Sequence, residues 1–474
     1  MPISPARAAA YEILLRIETT DAYASELLHS SRFAKLSPAD HGLLTELVMG
    51  ILRWRGVLDK HIAEHVSQSL AKLDTEVLTA LRLGAYQLSF LDRIPTHAAV
   101  NEGVELVKQA RKRSAAGMVN AVLRKIATGP RDRKDISHPD WLVERWEQIY
   151  GSEIARKICE YDNTAPKQAV RISILQSNVK SSVGTAAPGC PRAEGPIGKL
   201  IEDSEPHRNA FDGQPRADVS TLLEELRSDG VCLEPGNLVM NAFTVTSGDA
   251  TNTKAFRERR LIIQDEASQL VALLVGKGNT ILDCCAAPGG KTRILAEQNP
   301  DSMVIALELH SHRAALLKRL VISDNVRVIA ADARQLPINT KFDRVLVDAP
   351  CSGTGTLARN PEIKWRLNLD DIFRLQRYQL EMLSAAMSHV ASHGRIIYST
   401  CSLEPEENER VVETALAANP EFRLIDCSGE LQRLKEQGQL VAPNSDSLLT
   451  GPYLRTIPGV HPTDGFFAAI LEKS

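Results

Sequence analysis

Two cysteines stand in settings that suit chemistry: Cys351 in Asp348-Ala349-Pro350-Cys351-Ser352-Gly353 and Cys401 in Ser399-Thr400-Cys401-Ser402. Each follows a short apolar run and is flanked by turn residues, which places two thiols at neighbouring strand ends. A lone cysteine in such a place is most often an inert buried residue; a pair beside an acid points to covalent catalysis on a pyrimidine. Carbon 5 of cytosine is too weak a nucleophile to take a methyl group unaided. A thiolate that adds at carbon 6 turns the ring into an enamine whose carbon 5 attacks, and loss of the carbon 5 proton then expels the sulfur. The attacking thiol needs a lowered pKa, and Asp348 is placed to bind the amino and N3 edge of the ring and to hold charge developing there. Methylation of an exocyclic amine would use Pro followed by an aromatic residue after the acid, and Cys351 occupies that aromatic position.

The methyl donor is read from a second set of strand ends. Asp283-Cys284-Cys285-Ala286-Ala287-Pro288-Gly289-Gly290-Lys291-Thr292 leaves a strand and enters a helix, and its two glycines are expected to let a ligand approach the backbone. Gly290-Lys291-Thr292 matches the end of a phosphate loop, but Cys285 stands where that loop needs its first glycine. The dinucleotide-like Gly353-Thr354-Gly355-Thr356-Leu357-Ala358 fails too, because Arg359-Asn360-Pro361-Glu362 cannot continue a helix. Glu308 and Asp332 follow the next two strands, where carboxylates can accept ribose hydroxyls and an adenine amino group. Acids behind a glycine turn, with no phosphate-binding element, point to S-adenosylmethionine.

These residues need a scaffold, and the chain has room for about three domains at 474 residues. With 43% hydrophobic and 24% charged residues it matches ordinary globular chains, which excludes wholesale disorder and fibrous repeats. Residues 1–135 read as all-helical, with starts expected at Ser37-Pro38-Ala39-Asp40 and Arg93-Ile94-Pro95-Thr96. The net charge is −3, so nucleic acid must be met by a local basic patch. Residues 108–134 carry nine Lys or Arg and one acid, which is either a solvated face or a phosphate-contacting surface. Residues 136–265 read as a small α+β module: Trp141 and Trp146 at helical spacing, a strand at Ala169–Ile172, and a Gly/Pro-rich insertion near 184–215 expected to be extended or disordered. From 266 to 474 apolar strands at Thr280–Asp283, Met303–Leu307, Val326–Ala330, Arg344–Val347 and Arg395–Tyr398 alternate with helices, which predicts a parallel sheet with ligands beyond its carboxyl ends. Eight cysteines without a CxxC pair fit neither a disulfide framework nor a zinc ribbon, and no apolar run reaches the roughly 18 residues that span a bilayer. A cytoplasmic protein without metal or membrane partner is expected.

The Asp348–Gly353, Ser399–Ser402 and Ala287–Thr292 motifs together resemble those of the RNA 5-methylcytosine methyltransferases of the Sun/NOL1/Nop2 family. The resemblance extends to Gln264-Asp265-Glu266-Ala267-Ser268 and to His461-Pro462-Thr463-Asp464-Gly465-Phe466-Phe467, and the N-terminal helices are similar to a NusB-like RNA-binding domain. It implies a NusB-like all-α domain, an α+β module and an α/β Rossmann-like class I methyltransferase domain. It also implies Cys401 as the nucleophile and Cys351 as an aid to product release. Cys285, Ala286, Ala287, Pro288, Gly289, Gly290, Lys291, Glu308, Asp332 and Asp348 would line the S-adenosylmethionine site. Glu308 departs from the family, where Asp is frequent. The implied substrate is small-subunit (16S) ribosomal RNA, met by a monomer. The alternatives are a transfer-RNA target or a non-catalytic RNA-binding assembly factor.

Overall fold

The computed structural model describes residues 3–33, 35–129, 136–173 and 217–474. The Gly/Pro-rich insertion near 184–215 lies outside them.

The N-terminal part is helical, as its periodicity requires: α1 (Pro5–Thr19), α2 (Ala24–Leu28), α3 (Pro38–Ala63), α4 (Thr75–Phe90), α5 (Thr96–Gln109) and α6 (Ala116–Thr128). Both expected helix starts are found. Ser37 caps α3 by accepting the Asp40 amide, with Pro38 in the first turn where its missing N–H costs nothing. α4 is apolar on nearly all sides and runs through the middle, buried at Leu81, Leu83, Ala85 and Leu88 among others. In the basic stretch, Lys108 is paired with Glu105 at 2.7 Å and Lys112 with Asp74 at 3.1 Å. Arg111, Arg113, Arg124 and Lys125 are exposed and make no ion pair among the described residues; residues 130–134 lie outside them.

Next come α7 (Asp140–Tyr150) and α8 (Ser152–Asp162), followed by an antiparallel sheet in the order β2-β3-β1-β4: β1 (Ala169–Ile172), β2 (Cys232–Pro235), β3 (Ala242–Ser247) and β4 (Leu261–Ile263). α9 (Ala217–Ser228) covers this sheet through Leu222 and Leu226, which meet Val170, Ile172 and Phe243. α10 (Lys254–Arg257) leads into β4. Trp146 does not join that core. It packs with Leu142 and Ile158 against Leu357 and Leu403, so α7 and α8 lie against the thiol-bearing loops.

The C-terminal part opens with α11 (Glu266–Leu274) and β5 (Thr280–Asp283), followed by α12 (Gly290–Gln298), β6 (Met303–Glu308), α13 (Ser311–Leu320), β7 (Val326–Ala330) and β8 (Phe342–Asp348). After these come α14 (Ile363–Arg366), α15 (Leu369–Met387), β9 (Val390–Thr400), α16 (Glu409–Ala418), β10 (Phe422–Ile425) and α17 (Cys427–Glu436), then β11 (Leu449–Thr450), β12 (Tyr453–Thr456) and β13 (Phe466–Lys473). The sheet order is β11-β12-β13-β9-β8-β5-β6-β7, with β10 on β13. β5 to β9 are mutually parallel, as expected. The expectation of a wholly parallel sheet is corrected by β10 to β13, which pair antiparallel. Only a short loop separates β12 from β13, too little chain for the crossover that parallel pairing needs. Both faces are covered: Ile281, Leu346 and Ile397 meet Leu270 and Leu434 on one side, while Leu282, Val345 and Tyr398 meet Leu383 and Val411 on the other. β5 lies between β6 and β8, so chain direction across the sheet reverses there, and the crevice at the carboxyl ends of β5, β6 and β8 is where such folds bind ligands.

Candidate active site

β8 and β9 run parallel with Asp348 opposite Ser399, so the loops leaving them start side by side. That brings Cys351 and Cys401, 50 residues apart in sequence, to an Sγ–Sγ separation of 3.3 Å. Backbone bonds fasten the loops to one another: the Ala349 amide donates to Ser399 at 2.9 Å and the Gly355 amide to Cys401 at 2.9 Å. Gly355 in turn lies directly against Gly465, whose carbonyl a β-carbon at 355 would meet at 2.2 Å.

Beneath the sulfurs sits a group that sequence reasoning missed. Glu407 is fully buried and accepts from the Ser352 amide at 2.8 Å, the Ser352 hydroxyl, the Ser402 hydroxyl at 2.5 Å and Gln379 Nε2 at 2.9 Å. The two serines are the residues immediately after the two cysteines, so a single carboxylate ties both thiol loops together. Burial raises its pKa against the pull of these donors. The available signal was the acid run that follows Cys401 in Glu404-Pro405-Glu406-Glu407. Its other two members face α7, where Arg145 pairs with Glu404 and Glu406. The hydrogen bond to the Cys401 sulfur, with burial after it, holds the Cys351 thiol well above its ordinary pKa.

Asp348 accepts from Lys291 Nζ at 2.7 Å and from the Ser399 hydroxyl at 2.8 Å. Lys291, expected at the cofactor, faces this side as well, its ammonium 5.2 Å from the Phe466 ring centre. Burial alone would lower its pKa, but Asp348, with help from the Cys401 sulfur, raises it and keeps the ammonium charged. A fixed cation and a carboxylate thus stand beside the two sulfurs.

Residues 284–289 join β5 to α12, and the Ala286 amide bonds to Leu307 of β6 at 2.8 Å. On the side where a β-carbon would project, both glycines are packed against protein. A β-carbon at Gly289, whose φ is +115°, would lie 2.5 Å from Val321 and 2.8 Å from Leu317, and one at Gly290 would lie 3.1 Å from Gln264. Protein atoms fill that space, so these glycines serve the left-handed turn and close helix packing. Burial pushes up the thiol pKa of both Cys284 and Cys285. At the end of β6, Glu308 accepts the His310 amide at 3.0 Å on Oε1. After β7, Asp332 is held by Arg334, with Nη2 at 2.7 Å, which lowers its pKa. Asp283 accepts from the Thr292 hydroxyl at 2.7 Å, while its other oxygen is buried without a partner. Carboxylates around a turn that lacks a phosphate cradle fit an adenosine ligand without phosphates. A shallow groove of about 540 Å³, lined by Lys277, Asn279, Asp343 and His393, lies at the amino ends of the strands, away from all of these groups. Among the described residues no cluster of His, Cys, Asp or Glu is arranged to hold a metal, and no helix is long and apolar enough to cross a membrane.

The two outlying motifs form a brace. Arg359 donates to Asp464 at 2.7 Å and to Asp265 at 3.1 Å, tying the start of α11 to the segment before β13 behind the thiol loops.

Comparison with known proteins places this geometry. Residues 270–472 match the model described as 16S rRNA methyltransferase RsmB/F, residues 4–128 the NusB family, and residues 138–184 the RsmF/B-like ferredoxin-like domain. The chain is 33% identical to the probable ribosomal RNA small subunit methyltransferase B of Bacillus subtilis, over 98% of each chain. It is 30% identical to ribosomal RNA small subunit methyltransferase B of Vibrio cholerae, over 98% of this chain and 97% of that one. The crystal structure of PH0851 superposes with a TM-score of 0.75 at 26% identity, covering 100% of both chains.

Proposed function

Since this chain belongs to the RsmB/F family of ribosomal RNA small subunit methyltransferases, we propose that it methylates carbon 5 of a cytosine in 16S ribosomal RNA through a transient bond from Cys401 to carbon 6. The observation that carries this reading is the 3.3 Å approach of Cys351 and Cys401 next to Asp348. Two thiols in contact supply one sulfur to attack and one to manage its departure.

Glu308, Asp332 and the turn from Cys285 to Gly290 would hold S-adenosylmethionine, which would supply an electrophilic methyl group. Cys401 acts as thiolate, its charge supported by the Lys291 ammonium and by the Cys351 S–H. Asp348, positioned by Lys291 and Ser399, binds the amino and N3 edge of the ring and offsets charge that gathers there. After carbon 5 is methylated, its proton passes to solvent, the C5–C6 double bond re-forms, and Cys401 leaves as thiolate with the Cys351 S–H donating to it. Because a stacked and paired base cannot reach these sulfurs, the target is single-stranded or flipped out. Arg111, Arg113, Arg124 and Lys125 are placed to contact phosphates of the surrounding RNA.

The test is tritium transfer from labelled S-adenosylmethionine to an unmethylated small-subunit ribosomal RNA transcript, followed by bisulfite mapping. Counts at a single cytosine are expected. A chain that binds RNA and yields no acid-precipitable counts is an assembly factor, and counts on transfer RNA alone move the substrate there.

A further inference from the structure

The segment that leaves Cys351 runs on into the N-terminal domain. Ile363 of α14 packs close to Gly353, two residues past Cys351; a β-carbon at 353 would lie 3.0 Å from it. The same segment holds a loop of the N-terminal domain between α1 and α2. The Ala24 amide donates to Glu362 Oε1 at 2.8 Å, and Arg366 Nη2 donates to the carbonyls of Ala22 at 2.8 Å and Ile17 at 2.9 Å. Trp365 Nε1 donates to the Leu52 carbonyl at 2.6 Å and Lys364 Nζ to the Arg53 carbonyl at 3.1 Å, so the docking is anchored on α3 as well.

Between the two pinned residues stands Tyr23. It is 44% exposed, in a loop whose neighbours on both sides are fixed to the thiol-bearing segment. Among the described residues its ring belongs neither to the core of the N-terminal domain nor to an aromatic pair. Burial raises the pKa of its hydroxyl first, then Glu362, then the charges on the Cys401 and Cys351 sulfurs. A half-exposed aromatic ring on a loop fastened at both neighbours to the segment that leaves Cys351 meets the need of an enzyme that must keep an unpaired nucleotide in place. Every base has a π face, and stacking on an aromatic side chain is the usual way a single strand is held.

We propose that Tyr23 is a substrate-contacting residue whose ring stacks on a base of the RNA strand entering the Cys351–Cys401 site, so that the N-terminal domain supplies one wall of the active site. This rests on the RNA methyltransferase reading given above. It assigns the helical domain a contact at the reacting nucleotide strand, distinct from phosphate binding on its basic face.

The experiment measures methyl transfer to the small-subunit transcript by wild type, Tyr23→Ala and Tyr23→Phe, together with S-adenosylmethionine affinity and thermal midpoint. Tyr23→Ala should raise KM for RNA about tenfold, the size expected for one lost stacking partner. Tyr23→Phe, which keeps the ring, should stay within about twofold of wild type, and cofactor affinity and melting should not change. An unaltered KM in Tyr23→Ala overturns the proposal. So does a Tyr23→Phe as weak as Tyr23→Ala, which would assign the effect to the hydroxyl, or a loss of cofactor binding in Tyr23→Ala, which would make the ring structural. Absence of methyl transfer in wild type would instead overturn the underlying reading, so the two failures are distinguishable.

Discussion

At the ends of β8 and β9, Glu407 alone accepts four hydrogen bonds, and Asp348 and Lys291 are locked to each other below the two sulfurs. At the end of β6, Glu308 accepts one backbone amide, and after β7 Asp332 is met by a partly exposed arginine. The base half of the sheet edge is cross-tied from loop to loop; on the donor half each acid bonds, among the described residues, only to groups within five residues of it, Glu308 to the His310 amide and the Arg313 side chain and Asp332 to Arg334. The two halves face different demands. Bond formation at a ring carbon requires sulfur, ring and acid within a few tenths of an ångström in every turnover. A nucleoside that is exchanged each cycle needs acceptors that become available, and a carboxylate with spare lone pairs provides them. If this contrast is right, substitutions on the base half should act on the chemical step, and substitutions on the donor half on cofactor affinity.

The largest effects should come from the sulfurs. Cys401→Ala should reduce methyl transfer roughly a thousandfold or more while RNA still binds, as loss of a nucleophile does. Cys351→Ala should slow turnover roughly a hundredfold and accumulate a protein–RNA adduct that survives denaturation, because the leaving sulfur loses its proton-sharing partner. Gel analysis after denaturation separates the two, and exchanged phenotypes would exchange the roles.

Asp283 sharpens the contrast from the donor side, since it ends β5, is fully buried and keeps one oxygen without a partner among the described residues. Burial lifts its pKa to about 7. A carboxyl whose folded value lies above its unfolded one favours folding where it is protonated, and that contribution is complete below about pH 4 and lost as pH rises through 7. Asp283→Asn is neutral throughout and lacks this slope. The unfolding free energy of the variant, relative to wild type, should therefore rise between pH 4 and pH 8 by up to about 4 kcal/mol. Denaturant titrations at several pH values measure it, and a flat difference would show that Asp283 is charged in the folded protein.

Much of the base half was legible because strand ends in an α/β sheet announce themselves. The apolar runs Arg344–Val347 and Arg395–Tyr398, followed by Asp348 and Ser399, place Cys351 and Cys401 at neighbouring strand ends. The helix starts at Pro38 and Thr96 were equally plain, since proline and capping residues act locally. What was hidden depends on long-range packing. Glu407 looks like one more acid in a charged run, and only the return of α15 and the serines after each cysteine reveals its four donors. The glycines at 289 and 290 had the right conformational meaning, but the side chains that crowd them, Leu317 and Val321 at Gly289 and Gln264 at Gly290, are not written next to them. The antiparallel strand Phe466–Lys473 is buried at Phe466 to Leu471 in the middle of the sheet. Its apolar run gives no alternation from which to read direction.

Between the extremes lies Glu407→Gln. An amide can accept on one oxygen only, and its NH2 would face hydroxyl or amide donors, so one or two of the present bonds are lost at about 1–3 kcal/mol each. The two thiol loops should loosen, lowering kcat about tenfold with cofactor affinity unchanged. A variant that instead loses S-adenosylmethionine binding would mean the halves are mechanically one unit, and the contrast would fail.

The smallest effect is expected at Asp332. It is held by Arg334 through Nη2 at 2.7 Å and Nε at 3.1 Å, and Arg334 itself lies over the Tyr378 ring at 4.4 Å. Asp332→Asn keeps the size and one acceptor oxygen, and loses the charge that pairs with Arg334 and would accept from the adenine amino group. A partly exposed pair of this kind contributes little to folding, so stability should hardly move. The cost should fall on the donor: KM for S-adenosylmethionine should rise about fivefold, the value of one weakened hydrogen bond. At saturating donor kcat should equal that of wild type, because no group around the sulfurs depends on Asp332. Initial rates across donor concentrations at fixed RNA make the measurement. A fall in kcat at saturation would place Asp332 in the chemical step and join the donor half of the edge to the base half.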